Sequence, residues 1–385
     1  MQHFQHLSDE VREQLFLHAP RTFADSDERD LLAIALGATL YVPATRAGLA
    51  EIVEKRAADG VSSMVLDLED AVADDEVEAA RANAVVALDK IASTDAAGML
   101  LFIRVREVAD IADIAESLTV GRVALTGFVV PKFGSATGAA FLEAVADASE
   151  RLGKHLYAMP VLESPELVHR DTRDLELRSV SDILAQHRDR ILAVRIGATD
   201  MCSTFGIRRD RDLTIYDVRV VVDVIADIVN YLGRADGSGF VITGPVWEYF
   251  ADHERMFRPM LRATPFEEHD AVRFRQHLVS RDLDGLLREI ALDRANGIQG
   301  KTVIHPSHVA AVNALSAVTH EEYHDALDIL GVEVGGVAAS GYRNKMNEMK
   351  PHRNWARQTE LRAQVFGVTN KGITFVELLT ALVDR

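Results

Sequence analysis

Hydrophobic and polar positions alternate between two kinds of segment along most of the chain. Short runs of β-branched and apolar residues, bounded by turn residues, are each followed by a longer stretch with helical periodicity. Eight such runs stand out: Thr39–Pro43 (TLYVP), Ser63–Asp67 (SMVLD), Met99–Arg104 (MLLFIR), Thr126–Pro131 (TGFVVP), Leu156–Leu162 (LYAMPVL), Ile191–Gly197 (ILAVRIG), Gly239–Thr243 (GFVIT) and Thr302–His305 (TVIH). Their near-continuous apolar character suits parallel strands covered on both faces. Between them, Gly48–Asp59, Glu76–Ile91, Ala109–Leu118, Gly138–Leu152, Val180–Arg190, Asp217–Leu232 and Asp282–Ala295 predict crossover helices, and Ser307–Ala317 follows the last strand. Eight strand–helix alternations in order predict an α/β chain folded as a TIM (β/α)8 barrel, with a doubly wound open sheet as the alternative.

Two parts exceed a minimal barrel. A long insertion before the last strand, residues 251–280, is rich in His, Arg and Phe, and loops of such length are usually functional or disordered. After the eighth unit come Glu321–Leu330, a Gly-rich hinge and a basic segment (YRNKMNEMKPHRNWARQ) that leads into a helical C-terminal extension. The expected organisation is therefore a helical lead-in over 1–38, a barrel domain over 39–331 and a lid or oligomerisation segment over 332–385.

Composition narrows the chemistry. The 385 residues hold 42 Lys and Arg against 59 Asp and Glu, a net charge of −17, which opposes binding to a phosphate backbone and makes nucleic acid an unexpected partner. The single cysteine, Cys202, cannot form an internal disulfide, and with no zinc-ligand spacing it reads as buried filler in a cytoplasmic protein. The amino terminus lacks the pattern of a signal peptide. The longest uncharged stretch, Leu31 to Thr45, is too short to span a bilayer and holds Gly37 and Pro43, so no membrane association is expected. Neither GxGxxG after a strand nor GxxxxGK[ST] occurs, which leaves a dinucleotide fold and a P-loop unsupported.

Active sites of TIM barrels lie at the carboxyl ends of the strands. There this chain places Asp67, Glu69 and Asp70 (strand two), Arg104 and Arg106 (strand three), Lys132 (strand four), Glu163 (strand five), Asp200 (strand six) and His305 (strand eight). Glu163 and Asp200 arrive from adjacent strands without a Cys or His cluster, a hard-oxygen pair suited to Mg2+. The competing reading is that Asp200 caps a turn through Ser203 and Thr204 while Glu163 pairs with a rim arginine. Arg104 ends an apolar run, so its guanidinium is expected in the mouth, either gripping a substrate carboxylate or paired with Asp67 or Glu69. Lys132 suits a rim salt bridge, and His305 either an acid–base role or a structural one.

Seven ordered motifs then carry a resemblance: LYVPATR, VLDLEDAV, FIRVR, VVPK, VLES, IGATD and GIQGKTVIHPSH. The chain resembles the citrate lyase β-subunit-like family of carbon–carbon lyases and aldolases, which includes malyl-CoA lyases. The resemblance implies a Mg2+-dependent TIM-barrel enzyme in which Glu163 and Asp200 hold the metal and Arg104 binds the substrate carboxylate. Asp67, Lys132 and Arg46 are further substrate-binding candidates, and Glu69, His305 or Glu348 could move the proton. The implied partners are a small carboxylic acid or an acyl-CoA, together with further copies of the chain in a trimer or hexamer.

Departures from the family pattern temper the details. Ala38 and Ala44 stand where the family usually has Arg and Gly, and KMNEMKP places Glu348 where CoA-dependent members carry an aspartate. The insertion and tail resemble a subgroup associated with bacterial tellurium-resistance gene clusters. Two other expectations remain open: a non-catalytic ligand-binding or assembly protein on the same barrel, and a Mg2+ enzyme for phosphoenolpyruvate-type substrates gripped by Arg255, Arg258 and Arg262.

Overall fold

The computed structural model describes residues 1–250 and 281–383. The insertion 251–280, with Arg255, Arg258 and Arg262, lies outside the described residues. Eight parallel strands form one sheet: β1 (Ala38–Pro43), β2 (Ser63–Asp67), β3 (Leu100–Arg104), β4 (Leu125–Val130), β5 (Tyr157–Leu162), β6 (Val194–Ile196), β7 (Ile242–Thr243) and β8 (Lys301–Val303). Each pairs with its neighbour in sequence, and β8 pairs with β1. Between β7 and β8 a single bridge, Gly244 to Lys301, closes the ring. The TIM-type barrel expected from the sequence is thus present, with one thin seam.

The outer layer consists of α1 (Leu49–Ala58), α2 (Val77–Ile91), α3 (Val108–Ser117), α4 (Gly138–Leu152), α5 (Arg173–Gln186), α6 (Arg219–Leu232), α7 (Arg281–Ala295) and α8 (Ser307–Ser316). Helix α6 shows why these segments fold as they do. Val221, Val224, Ile225, Ile228 and Leu232 fall on one face at spacings of three and four, and all are buried. Helix α3 starts with a reciprocal capping box between Glu107 and Asp110.

Helix α5 differs from expectation, beginning at Arg173 and ending at Gln186 rather than running over Val180–Arg190. Its first turns are charged, which hides the stripe of Leu177, Val180 and Leu184. Arg173 is nonetheless buried, donating to the carbonyls of Leu167 (3.1 Å) and Val168 (2.6 Å) and pairing with Asp227 (2.9 Å). Strand β7 is shorter than the expected Gly239–Thr243, because the Phe240 N–H donates back to the Leu232 carbonyl at the end of α6 (2.7 Å).

The two terminal regions are built into one another. The short strand Phe16–His18 pairs antiparallel with Val368–Thr369, and helix Arg353–Phe366 packs against helices Arg29–Ala35 and His320–Leu330. Within the segment expected as a lid or arm, the exposed part is the hairpin Val337–Ala339 with Met346–Glu348. Among the described residues no helix is long and apolar enough to cross a membrane.

His3 lies in this clasp, fully buried, its Nε2–H donating to the Ala35 carbonyl (3.0 Å) and its ring stacked on Phe366 at 4.2 Å. Burial lowers its pKa from 6.5 to about 4. The unfolded chain therefore binds a proton that the folded chain refuses, so stability present above pH 6.5 is lost as pH falls toward 4. The loss amounts to about 3 kcal/mol. Urea unfolding of His3→Gln should show a free energy less sensitive to pH between 7 and 4 than that of the wild type, by roughly that amount.

Candidate active site

Polar side chains collect at the carboxyl end of the barrel because alternate strand residues point inward and the last ones reach the rim. Arg104, the final residue of β3, sits beside Asp67, the final residue of β2, in direct register. Its Nε and Nη2 donate to the two Asp67 carboxylate oxygens at 2.6 and 2.7 Å, while Nη1 lies 2.9 Å from Glu69 and 3.2 Å from Asp70. Burial works against this guanidinium, but the Asp67 pairing holds it firmly protonated. The two-pronged edge expected to grip a substrate is thus occupied by Asp67.

Lys132 forms the rim salt bridge anticipated for it. Its ammonium contacts Glu69 and lies 3.6 Å from Asp70. The residue adopts a left-handed backbone (φ 47), which turns its N–H toward Glu163 Oε1 at 2.9 Å. Burial holds the Glu69 carboxyl above its usual range, and Arg104 and Lys132 together oppose that shift.

Glu163 follows β5 and is buried, and Asp200 lies in the first turn of the helix Ala198–Ser203 just after β6. Thr204 donates through its N–H (3.0 Å) and its hydroxyl (3.1 Å) to the backbone carbonyl of Asp200. Burial and the Asp200 charge push the Glu163 carboxyl up to about 8. Two neighbouring carboxylates, one of them desolvated, and no Cys or His partner form a donor set that fits Mg2+, which binds through one or two carboxylates and keeps water or substrate oxygens elsewhere. Among the described residues, no cluster of three or more His, Cys, Asp or Glu side chains forms a fuller metal cage.

Gly197 makes this approach possible. A Cβ there would stand 1.8 Å from Glu163 Oε2 and 2.6 Å from Glu163 Cβ.

The remaining expected residues are more dispersed. His305 stands after β8 with its ring parallel to Phe250 (4.3 Å) and Nδ1 2.7 Å from Ser307 Oγ. Arg46 is exposed in the turn after β1, where its carbonyl accepts from Asn83 (2.9 Å). Glu348 lies on the exposed hairpin with its N–H bonded to His352 Nδ1 (3.1 Å), away from the network around Arg104. Cys202 is buried, which pushes its thiol pKa up, in keeping with a filler role. A cleft of about 640 Å³, lined by Glu69, Asp70, Arg106, Lys132 and Phe141 among others, runs outward from the rim network.

Two residues of the mouth escaped the sequence reading. Tyr41 of β1 points inward between two guanidinium groups, with Arg104 Cζ at 5.4 Å and Arg195 Cζ at 5.5 Å from its ring centre. Arg195 of β6 is 1% exposed and crosses the barrel to Thr302 Oγ1 on β8 (2.7 Å). The available signal was a lone charge inside the apolar run ILAVRIG.

A closed parallel barrel with its ionisable residues converging on the carboxyl rim defines a TIM-barrel protein with an enzyme-like site. The chain belongs to the family of C–C bond lyases of the TIM-barrel fold, whose model matches residues 30–368. Among solved structures it is similar to the protein CitE from Mycobacterium tuberculosis in complex with magnesium, acetoacetate and coenzyme A. Identity there is 20%, with 85% of this chain and 97% of that chain covered and a TM-score of 0.54. It is also similar to a citrate lyase from Burkholderia xenovorans LB400, at 15% identity over 90% of this chain and 96% of that chain, with a TM-score of 0.59. At such identities the likeness establishes a shared fold. No curated protein matches the chain.

Proposed function

We propose that the protein is a Mg2+-dependent carbon–carbon lyase or aldolase that cleaves or forms a small 2-hydroxy or 2-oxo carboxylic acid, as the free acid or its CoA thioester. The observation that carries this reading is the buried Glu163 carboxylate beside Asp200 at the carboxyl rim of a C–C bond lyase barrel. Glu163 and Asp200 would hold the cation. When bound, Mg2+ would supply Lewis-acid stabilisation of the negative charge that develops as the bond breaks.

The chain's own groups supply position and proton movement. The Lys132 N–H fixes one oxygen of Glu163, leaving Oε2 turned toward Gly197 and the helix that carries Asp200. Arg104 clamps Asp67, which keeps the strand-two carboxylates in place around the mouth. Glu69, held above its usual pKa by burial and touching both Lys132 and Arg104, would hold or pass a proton at the rim. Glu348 sits on an exposed hairpin with Val337 (60% exposed) and Met346 (57% exposed), which supports its delivery to a neighbouring subunit in a homo-oligomer.

Incubation with Mg2+ and malyl-CoA, citryl-CoA or free 2-hydroxy and 2-oxo acids, followed by mass spectrometry, tests the reading. Cleavage that stops when the cation is chelated is the expected result. A full panel left intact would sink the lyase assignment.

A further inference from the structure

Two guanidinium groups bracket Tyr41, and they differ in one respect that decides what each can bind. Arg104 is neutralised within the chain, by both oxygens of Asp67 and by Glu69 and Asp70. Arg195 has no ion pair among the described residues. Its hydrogen-bonding neighbours are neutral: Thr302 Oγ1 at 2.7 Å, Thr39 Oγ1 at 3.5 Å, Met159 Sδ at 3.6 Å and the Tyr41 side chain. Its Nε is buried and has no hydrogen-bond partner among the described residues.

Such an arrangement is costly. A guanidinium stays protonated in proteins, and burying a charge without a counter-ion is among the most unfavourable acts of folding. A long apolar side chain in this layer, packed on Met159 and the Tyr41 ring, would fill the same space without that cost. The barrel has instead kept a fully buried cation whose planar donors converge on the floor of the mouth, one ring away from Arg104. The partnerless Nε and the adjacent Nη2, whose second hydrogen is not used by Thr302, form one edge of a planar fork that matches the geometry of a carboxylate.

We propose that Arg195 is a substrate-binding residue: it receives a carboxylate group of the small acid at the floor of the barrel mouth, against Tyr41, while Arg104 organises the rim carboxylates. This assignment rests on the lyase reading for the identity of the acid as substrate, but the anion site itself requires neither metal nor turnover. It places the recognised carboxylate on the β1–β6–β8 side of the mouth, where Tyr41, Thr39 and Thr302 converge. A substrate gripped there presents its other end upward to Glu163 and Asp200. The ligand class is thus a short acid with one carboxylate at the floor and further oxygens toward the rim.

Malonate serves as a probe in Mg2+-free buffer. Calorimetry on the wild type should detect binding, and Arg195→Met should weaken it by roughly 10- to 100-fold, as expected for the loss of charge-assisted hydrogen bonds. Arg195→Lys, which keeps the charge but not the fork, should retain part of the affinity. A crystal of the wild type grown with malonate provides a test independent of how the variants fold: a carboxylate on the Arg195 guanidinium supports the assignment. Malonate absent from that position, or bound equally well by Arg195→Met, overturns it. A failed cleavage panel with malonate still bound at Arg195 would remove the lyase reading alone.

Discussion

Replacing Glu163 by Gln is expected to abolish calorimetric Mg2+ binding and to lower metal-dependent turnover by on the order of 10³. Asp200→Asn should do the same. Without the cation, the pair carries a distinctive pH signature. The Glu163 carboxyl is pushed up from 4.5 to about 8 in the folded protein, so the folded state holds a proton that the unfolded state releases. Stability of the metal-free protein therefore falls as pH rises from 4.5 through 8. Added Mg2+ should offset that fall, and Glu163→Gln should remove both the fall and the response. Gly197→Ala supplies a control that alters no carboxylate. Its Cβ would occupy the space of Glu163 Oε2 and should displace the ligand, with the same loss of Mg2+. Unchanged Mg2+ affinity in both Glu163→Gln and Asp200→Asn would refute the metal assignment.

The largest expected effect on stability lies at the opposite end of the barrel. Lys301, the first residue of β8, has no exposed side-chain surface and pairs with Glu289 (2.9 Å) and Asp293 (2.7 Å) of α7. Arg209 also contacts Glu289, and the Tyr216 hydroxyl donates to Asp293 (2.9 Å). Burial raises Asp293 to about 6 even though Lys301 opposes the shift. Removing the ammonium leaves two buried carboxylates with less compensation than they need. Lys301→Met should therefore cost about 3–5 kcal/mol in urea unfolding at neutral pH. Adding Asp293→Leu to Lys301→Met should recover part of that cost, because the orphaned charge goes with it. A Lys301→Met variant as stable as the wild type would show that the network contributes nothing.

Much of the barrel was legible because its strands obey simple rules. Ser63–Asp67 and Gly138–Leu152 were bounded correctly by turn residues and periodicity alone. Helix α5 was misplaced by seven residues at its start because Arg173 is buried through backbone carbonyls, a partnership that no local pattern announces. At the rim, strand-end position sufficed to nominate Arg104, Lys132, Glu163 and Asp200. It could not reveal that Arg104 would turn its fork onto Asp67. Arg195 was illegible for a different reason: its contacts, Thr39 and Thr302, lie 156 and 107 residues away and meet only when the ring closes.

That closure behaves like a split hoop with a catch. Seven strand boundaries carry ladders, whereas the eighth carries one bridge, and the bridging residue is Lys301 itself. The residue whose side chain anchors α7 thus takes part, through its backbone, in the bridge across the gap. Above the catch, the Arg195–Thr302 bond runs from β6 to β8 across the two-residue strand β7. Any spreading of the hoop would part Arg195 from Thr302 before it disturbed Glu163 or Arg104, whose partners lie on adjoining strands. The proposed grip on the floor of the mouth would therefore depend on the ring staying closed, and the proposed metal pair would not.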